Sequence, residues 1–221
     1  TVADTGAGET LFRVNAGGPE LPALDGGPAW AADQGTTSPW RNSGSNAADW
    51  PAGIPNTDGT VPTSTPLASD DSERCDPVLT PEMSWAIPVP AGEDVRVRLY
   101  LANRCTCTEA VGGRVFTVRL EGTAVLTNHD IVADVGHDVA TVKSFDITSD
   151  GTVNIDFEHV TENPLINAIE ILAIDPDSEP APPAAGLSRV WYEGAHVVAA
   201  PTAAPTGDIE WPQVRGAVGG E

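Results

Sequence analysis

The sequence predicts an all-β protein, an antiparallel β-sandwich, and three observations carry that prediction. Val95, Val97, Leu99 and Leu101 alternate with Arg96, Arg98, Tyr100 and Ala102, the period of a strand with one face in a core and one in water. Eight or so short apolar runs are separated by glycine, proline and Asp-Gly turns, the spacing expected of a sandwich. No long stretch repeats with the 3.6-residue period of a helix.

Leu11–Asn15 reads as the first strand and stops at Ala16-Gly17-Gly18-Pro19, where glycine admits positive φ and proline lacks a ladder N–H. From Gly26 to Asp76 the chain is rich in Gly, Pro, Ser, Thr and Asn. Trp30, Trp40 and Trp50 mark it as an ordered loop, because a solvated linker seldom carries three indoles. Short strands are expected over 84–90, 94–103, 114–121 and 124–126, with a turn at Glu121-Gly122. Further strands are expected over 131–134 and 139–147. Asp150-Gly151 reads as a hairpin turn, followed by the alternating Val153, Ile155 and Phe157, and residues 165–174 close the set.

Beyond Ile174 the run Asp175-Pro176-Asp177-Ser178-Glu179-Pro180-Ala181-Pro182-Pro183 has the extended character of a linker. The expected organisation is a sandwich at 1–174, a Pro/Ala-rich linker at 175–186, and a tail or the start of a further module at 187–221. Residues 187–221 hold Trp191, Tyr192 and Trp211 but too little apolar mass for a core. Gly219-Gly220-Glu221 reads as an abrupt end, so the chain is expected to be part of a longer multidomain protein.

The chain of 221 residues carries 11 basic and 32 acidic residues, a formal charge of −21, and Lys143 is its single lysine. Phosphate binding needs clustered Lys and Arg, so nucleic acid and anionic membrane surfaces are excluded as partners. An acidic, lysine-poor surface suits a secreted protein or a salty medium, and codon bias in a GC-rich genome explains it equally well. No apolar run is long enough to insert into a membrane as a helix. Cys75, Cys105 and Cys107 are odd in number, so one thiol is left over from any single intrachain disulfide.

Chemistry-bearing motifs are sparse. There is no Gly-x-Ser-x-Gly elbow, no His-Glu-x-x-His and no phosphate loop, and the protein is expected not to be an enzyme. His129 and His137 sit among Asp130, Asp134 and Asp138, which are metal ligands by type. Asp25 and Asp33 are candidate oxygen donors for a structural calcium, though no ligand loop of recognisable spacing surrounds them. No cofactor is expected.

Several segments together resemble the malectin domain family. Leu11-Phe12-Arg13-Val14-Asn15-Ala16-Gly17-Gly18, Asp25-Gly26-Gly27-Pro28-Ala29-Trp30 and Ala32-Asp33 are similar to its opening. Ser72-Glu73-Arg74, the strand end Leu99–Arg104 and Gly113-Arg114-Val115-Phe116 are similar to its middle. His129-Asp130-Ile131-Val132-Ala133-Asp134-Val135-Gly136 and Glu162-Asn163-Pro164-Leu165-Ile166-Asn167-Ala168-Ile169-Glu170 are similar to its end. The resemblance covers roughly residues 10–174 and implies a jelly-roll-like sandwich that binds carbohydrate without cleaving it, as a module of secreted or cell-surface proteins. The match of residues 129–136 to an ordinary strand and turn of the family argues against metal there.

The resemblance also implies a sugar site on loops at one edge, with Trp40, Arg74, Arg104, Thr106, Glu162 and Asn163 as its candidate residues. The family's aromatic positions fall here on Cys75, Cys105 and Thr106, and its aspartate falls on Glu162. Aromatic faces match the apolar face of a pyranose; cysteine and threonine do not, so the site is expected to be altered or weakened. If the family's sugar-facing aromatics are neighbours, Cys75 and Cys105 are close enough to bridge, with Cys75–Cys107 as the other pairing. A closed loop of that length stabilises by about 3 kcal/mol in the chain-entropy model. The bland alternatives are a solvated Glu162, ion-paired Arg74 and Arg104, and tryptophans that pin the long loop. The expected partner is a glycan or polysaccharide. The alternative is a structural or adhesive module, stapled by its disulfide, whose partners are other copies or other surface proteins and whose leftover thiol, Cys107, links subunits.

Overall fold

The computed structural model describes residues 7–23, 25–34, 38–42, 45–49, 56–57, 69–73, 83–174, 190–193 and 196–199. The chain divides into two compact units, 1–179 and 180–221. In the second unit, β14 (Val190–Glu193) and β15 (His196–Ala199) form an antiparallel hairpin.

The first unit is a β-sandwich. Its larger sheet has the order β2-β1-β13-β7-β10-β4, formed by β1 (Ala7–Ala16), β2 (Ala31–Asp33), β4 (Asn56–Thr57), β7 (Asp94–Leu101), β10 (Val139–Thr148) and β13 (Ala168–Ile174). The facing sheet has the order β6-β11-β8-β9, formed by β6 (Met83–Pro88), β8 (Val115–Leu120), β9 (Thr123–His129) and β11 (Thr152–Thr161). A small third sheet joins β12 (Leu165–Ile166) to β5 (Ser69–Glu73) and β3 (Ser45–Asp49). The long loop expected over 26–76 therefore contributes short strands to two sheets.

Alternation sets the two faces. Val14, Val95, Val97, Leu99, Leu101, Ile169 and Ile171 of the larger sheet meet Trp85, Ile87, Phe116, Val118, Val153, Ile155 and Phe157 of the other in one buried core. The register is antiparallel throughout its centre, with Ile171 opposite both Phe12 and Val97, and Phe145 beyond Val97. The turn Glu121-Gly122 has both residues at positive φ (48° and 73°), as a tight two-residue hairpin of the mirror-image type requires.

The outer face of the larger sheet has a second, smaller cluster. Trp30, Tyr100, Ala102, Ala140 and Ala168 pack there beneath residues of the first loop, with Trp30 edge-on to Tyr100 at 5.7 Å. Beside it lies a buried ionic network. Glu170 accepts from Arg13 Nε at 2.6 Å, Tyr100 Oη at 2.7 Å and Arg98 Nη1 at 3.2 Å. Arg13 also holds Asp25 at 2.6 Å and lies over the Trp30 ring at 5.1 Å. Burial works against the Arg13 charge, but hydrogen bonds to Asp25 and Glu170 outweigh it and raise its pKa. The Arg13 hydrogen bond holds the Asp25 carboxyl below its ordinary range. Burial and the Glu170 carboxylate push the Tyr100 phenol up. A Cβ on Gly27 would sit 2.8 Å from Arg13 Nη1, so a larger residue there would push the guanidinium from its place against Asp25.

One expected strand is a helix. Ile131–Asp134 forms a single turn, α1, because the Asp130 carboxylate caps it by accepting from Val132 N and Ala133 N. A side-chain cap satisfies N–H groups that an edge strand would otherwise leave open.

Glu170→Ala is expected to destabilise the sandwich by about 3–5 kcal/mol, because it strands Arg13, Arg98 and the Tyr100 hydroxyl in a buried setting. Urea unfolding of the full chain measures it; a loss under about 1 kcal/mol would mean the network is dispensable.

Candidate functional site

Strand directions gather one set of loops at a single end of the sandwich: the end of β1, the end of β7, the start of β8, the end of β9, the start of β10 and the end of β11. Residues 102–114, 130–138 and 162–167 meet there. Asn167, fully buried, ties three strands together. Its backbone N donates to Tyr100 O, its side-chain oxygen accepts from Ala102 N at 2.7 Å, and its carbonyl accepts from Ala16 N.

The end of β7 turns on Asn103. Its Nδ2 donates to Thr108 O at 2.9 Å, its Oδ1 accepts from Thr108 Oγ1 at 3.0 Å, and its carbonyl accepts from Asp138 N. Between them Thr106–Thr108 makes one 3-10 turn that leaves Thr106 and Cys107 exposed. Gly113 allows the loop to fold back, since a Cβ there would lie 2.9 Å from Ala110 O and 3.0 Å from Thr108 O. Gly112 N donates to the Asp130 carboxylate. Arg114, 7% exposed, donates from its guanidinium to the Asn163 carbonyl and so joins the loop before β8 to the turn after β11.

Four of the six candidate residues bear on this edge. Arg104 lies 3.8 Å from Asp138 through its Nε; Thr106 faces solvent; Asn163 is half-buried on Arg114; and Glu162 is exposed with φ 60°. A left-handed conformation is unfavourable for a glutamate, and strained residues of this kind cluster at functional sites.

Trp40 is elsewhere. Its ring packs edge-on against Phe12 at 5.1 Å, and its carbonyl accepts from Ala86 N. Phe12 lies four strand steps before Ala16, about 13 Å down the sandwich flank from the loop end. Arg74 and Cys75 follow β5 and lie outside the described residues, as does Trp50.

The disulfide differs from the expected one. Cys105 is bonded to Cys107, with Cα atoms 5.1 Å apart, not to Cys75. The 3-10 turn brings the two together within one loop, and a sulfur bonded to Cys107 has no bond left for Cys75. The linking role expected for Cys107 as the leftover thiol falls with it.

The carboxylates considered as metal ligands have other work. Asp25 holds Arg13, Asp33 holds Arg41 at 2.7 Å with both side chains fully buried, and Asp130 caps α1. Among the described residues no three His, Cys, Asp or Glu side chains converge as a metal centre requires. His129 stacks edge-on to Phe116 at 5.8 Å. Burial pushes its imidazole pKa down; Asp134 and Asp130 pull against this, and Lys143 adds to it.

Arg114, Asn103, Asn167 and Asp130, which shape the edge, were not among the expected sugar-site residues. Gly112-Gly113-Arg114 was the available signal: a buried arginine directly after two glycines marks a tightly folded loop needing a carbonyl partner.

Fold and edge together define a jelly-roll-like sandwich whose loops at one end form the candidate binding surface. A family model, the malectin domain, matches residues 10–169, and the chain belongs to that family. Among solved structures it is similar to the ANX2 ectodomain from Arabidopsis thaliana, with a TM-score of 0.66, 15% identity, and coverage of 80% of this chain and 55% of that one. A chain from the complex of plant peptide RALF23 with FER and LLG2 gives a TM-score of 0.63, 20% identity, and coverage of 76% and 50%. Bacteroides uniformis beta-glucuronidase gives 0.57, 18%, 74% and 18%. At these identities the likeness is one of fold. The chain spans about half the length of the two plant chains and a smaller part of the glucuronidase. No curated protein matches the sequence.

Two outcomes are expected. Trp40→Ala should cost about 2 kcal/mol through lost packing on Phe12, read by urea unfolding; an unchanged midpoint would free the ring for another role. His129 has a folded pKa below its unfolded value of about 6.5. As pH falls through about 6.5 the unfolded chain takes up the proton first, so stability is lost until the folded imidazole also protonates. His129→Phe should flatten the part of the stability profile that begins as pH falls through about 6.5, and an identical slope in the variant would assign the loss to other groups.

Proposed function

We propose that the chain is a non-catalytic carbohydrate-binding module of a secreted or cell-surface protein, engaging glycan at the loop edge through Arg104, Thr106, Glu162 and Asn163. Arg74, which lies outside the described residues, is included by the family resemblance alone, and Trp40 serves the loop rather than the sugar. The sandwich occupies 1–174, with 175–186 as linker and 187–221 as tail or further module.

The observation that carries this reading is Glu162: a glutamate held exposed at positive φ, at the position where the family resemblance places the sugar-binding carboxylate. Glu121 has a similar φ in its hairpin turn, so the backbone alone does not mark Glu162; its exposure together with that family position supports the reading. The sugar site is weakened because Cys105 and Thr106 occupy aromatic positions. Hydrogen bonds donated by the Arg104 guanidinium, accepted by the Glu162 carboxylate and exchanged with the Thr106 hydroxyl then replace ring stacking.

A second reading has its own support. Val111 is 70% exposed and Val160 53% exposed, in the loop before β8 and near the end of β11, and a protein partner docked at this end would cover them. In that case the domain is a structural or adhesive module whose partners are other copies or other surface proteins.

A glycan array probed with the full chain, at low and high salt, tests the first reading. Selective binding is expected, lost in Glu162→Ala. Glu162→Gly should lose binding too while raising stability by about 1 kcal/mol, or about 2–4 °C in Tm. An array that stays blank with folded protein, or a Glu162→Ala variant that binds undiminished, would turn the assignment to the structural module.

A further inference from the structure

The geometry points to the Cys105–Cys107 disulfide as a reversible attachment site for small thiols, opened by exchange on the folded protein. This inference stands apart from the glycan reading.

Four observations carry it. The bond joins residues with a sequence separation of only 2; so short a loop removes little chain entropy, so the bond contributes little to holding the fold. Cys107 and Thr106 are exposed residues while Cys105 is half-buried, so the more open side of the bond is that of Cys107, where the attack is assigned. Cys107 N donates to Cys105 Sγ at 3.2 Å, and an N–H aimed at sulfur stabilises a departing thiolate. The turn is also fixed without the disulfide: Thr108 N donates to Cys105 O, and buried Asn103 and Thr108 bond each other twice. Opening the bond therefore leaves the loop framework in place. Exposed disulfides with such a leaving group are the exchangeable ones.

The chemistry balances without an external oxidant. A small thiolate, RS⁻, attacks Cys107 Sγ; the new S–S bond joins R to Cys107, and the Cys105–Cys107 bond breaks with its electron pair on Cys105 Sγ, which takes a proton from water. Attack by Cys105 on the Cys107 sulfur reverses the step. Attack by a second RS⁻ on the sulfur of R releases RSSR and leaves both cysteines reduced.

Reduced glutathione on the full chain tests it, with acid quenching, alkylation and peptide mass mapping, and with circular dichroism as a check on fold. The expected result is a glutathionyl group on Cys107, alkylated Cys105, an unchanged dichroism spectrum, and a native exchange rate within about tenfold of that of the denatured chain. The proposal is overturned if exchange occurs only after unfolding, if the adduct sits on Cys105, or if the untreated protein carries Cys105 and Cys107 as free thiols or bonded to Cys75.

Discussion

Glu170 is the residue on which the rest of the arrangement turns. It is 2% exposed and carries a charge on the outer face of the larger sheet. That is tolerable only because Arg13, Arg98 and Tyr100 from two neighbouring strands converge on its two oxygens. Buried charges left unmatched are costly, so the register of β1, β13 and β7 is fixed by polar pairing as well as by the core. A slip of one residue would turn Glu170 into the sandwich interior. The same Arg13 reaches Asp25 and the Trp30 ring, so the first loop folds down only when the strands are in register. The loop end of the sandwich inherits its alignment from this centre, through Asn167 at the start of β13.

Cations are scarce in this chain, and the fold uses them internally. Arg13 and Arg98 serve Glu170, Arg41 serves Asp33, Arg96 serves Asp146, Arg104 faces Asp138, Arg119 faces Glu158 and Lys143 holds Asp134. Arg114 serves a carbonyl. Every cation among the described side chains thus has an internal acceptor, and the acidic excess is what remains for solvent. Pairs such as Arg119–Glu158, more than a third exposed on both sides, add little stability. Their effect is to withdraw positive charge from the surface, so a neutral or cationic ligand suits it better than an anionic one.

Much of this was legible in the chain. The alternation in 95–101 and 153–157 gave the two central strands their inward faces, and Glu121-Gly122 gave its hairpin, because these signals are local; Asp150-Gly151 reads as a hairpin too, yet β10 and β11 lie in different sheets and the segment crosses from one to the other. What was not legible depended on distant partners. Strands β3, β4 and β5 lie in a stretch with no alternation and exist because β12 and β10 supply their ladders. Ile131-Val132-Ala133 has strand-like composition, yet Asp130 caps it into a helical turn. Arg104, Thr106, Glu162 and Asn163, which the resemblance assigns to one edge, lie in loops at one end of the sandwich. Trp40 fell on the flank because an indole in a long loop can pin as readily as it can stack. The disulfide was assigned across the edge by analogy with adjacent aromatics; the turn at Cys105-Thr106-Cys107 offered each sulfur a nearer partner.

The exchange of rings for a disulfide-closed turn changes what the edge can do. A hydroxyl, a carboxylate and a guanidinium each contribute about 0.5–1.5 kcal/mol net when hydrogen-bonded. Three such bonds sum to about 1.5–4.5 kcal/mol, at most near the free energy of a millimolar complex, before the cost of association is counted. Without an aromatic platform to exclude water, a glycan held at Thr106, Glu162 and Arg104 is bound weakly by any single copy. Useful occupancy then requires several copies on one assembly, where linkage raises the effective concentration without any new contact. The same requirement holds if the partner is a protein meeting Val111 and Val160. On either reading the edge works as one contact among many, and a turn held by the Asn103–Thr108 hydrogen bonds serves that use because it leaves little loop entropy to be lost at each engagement.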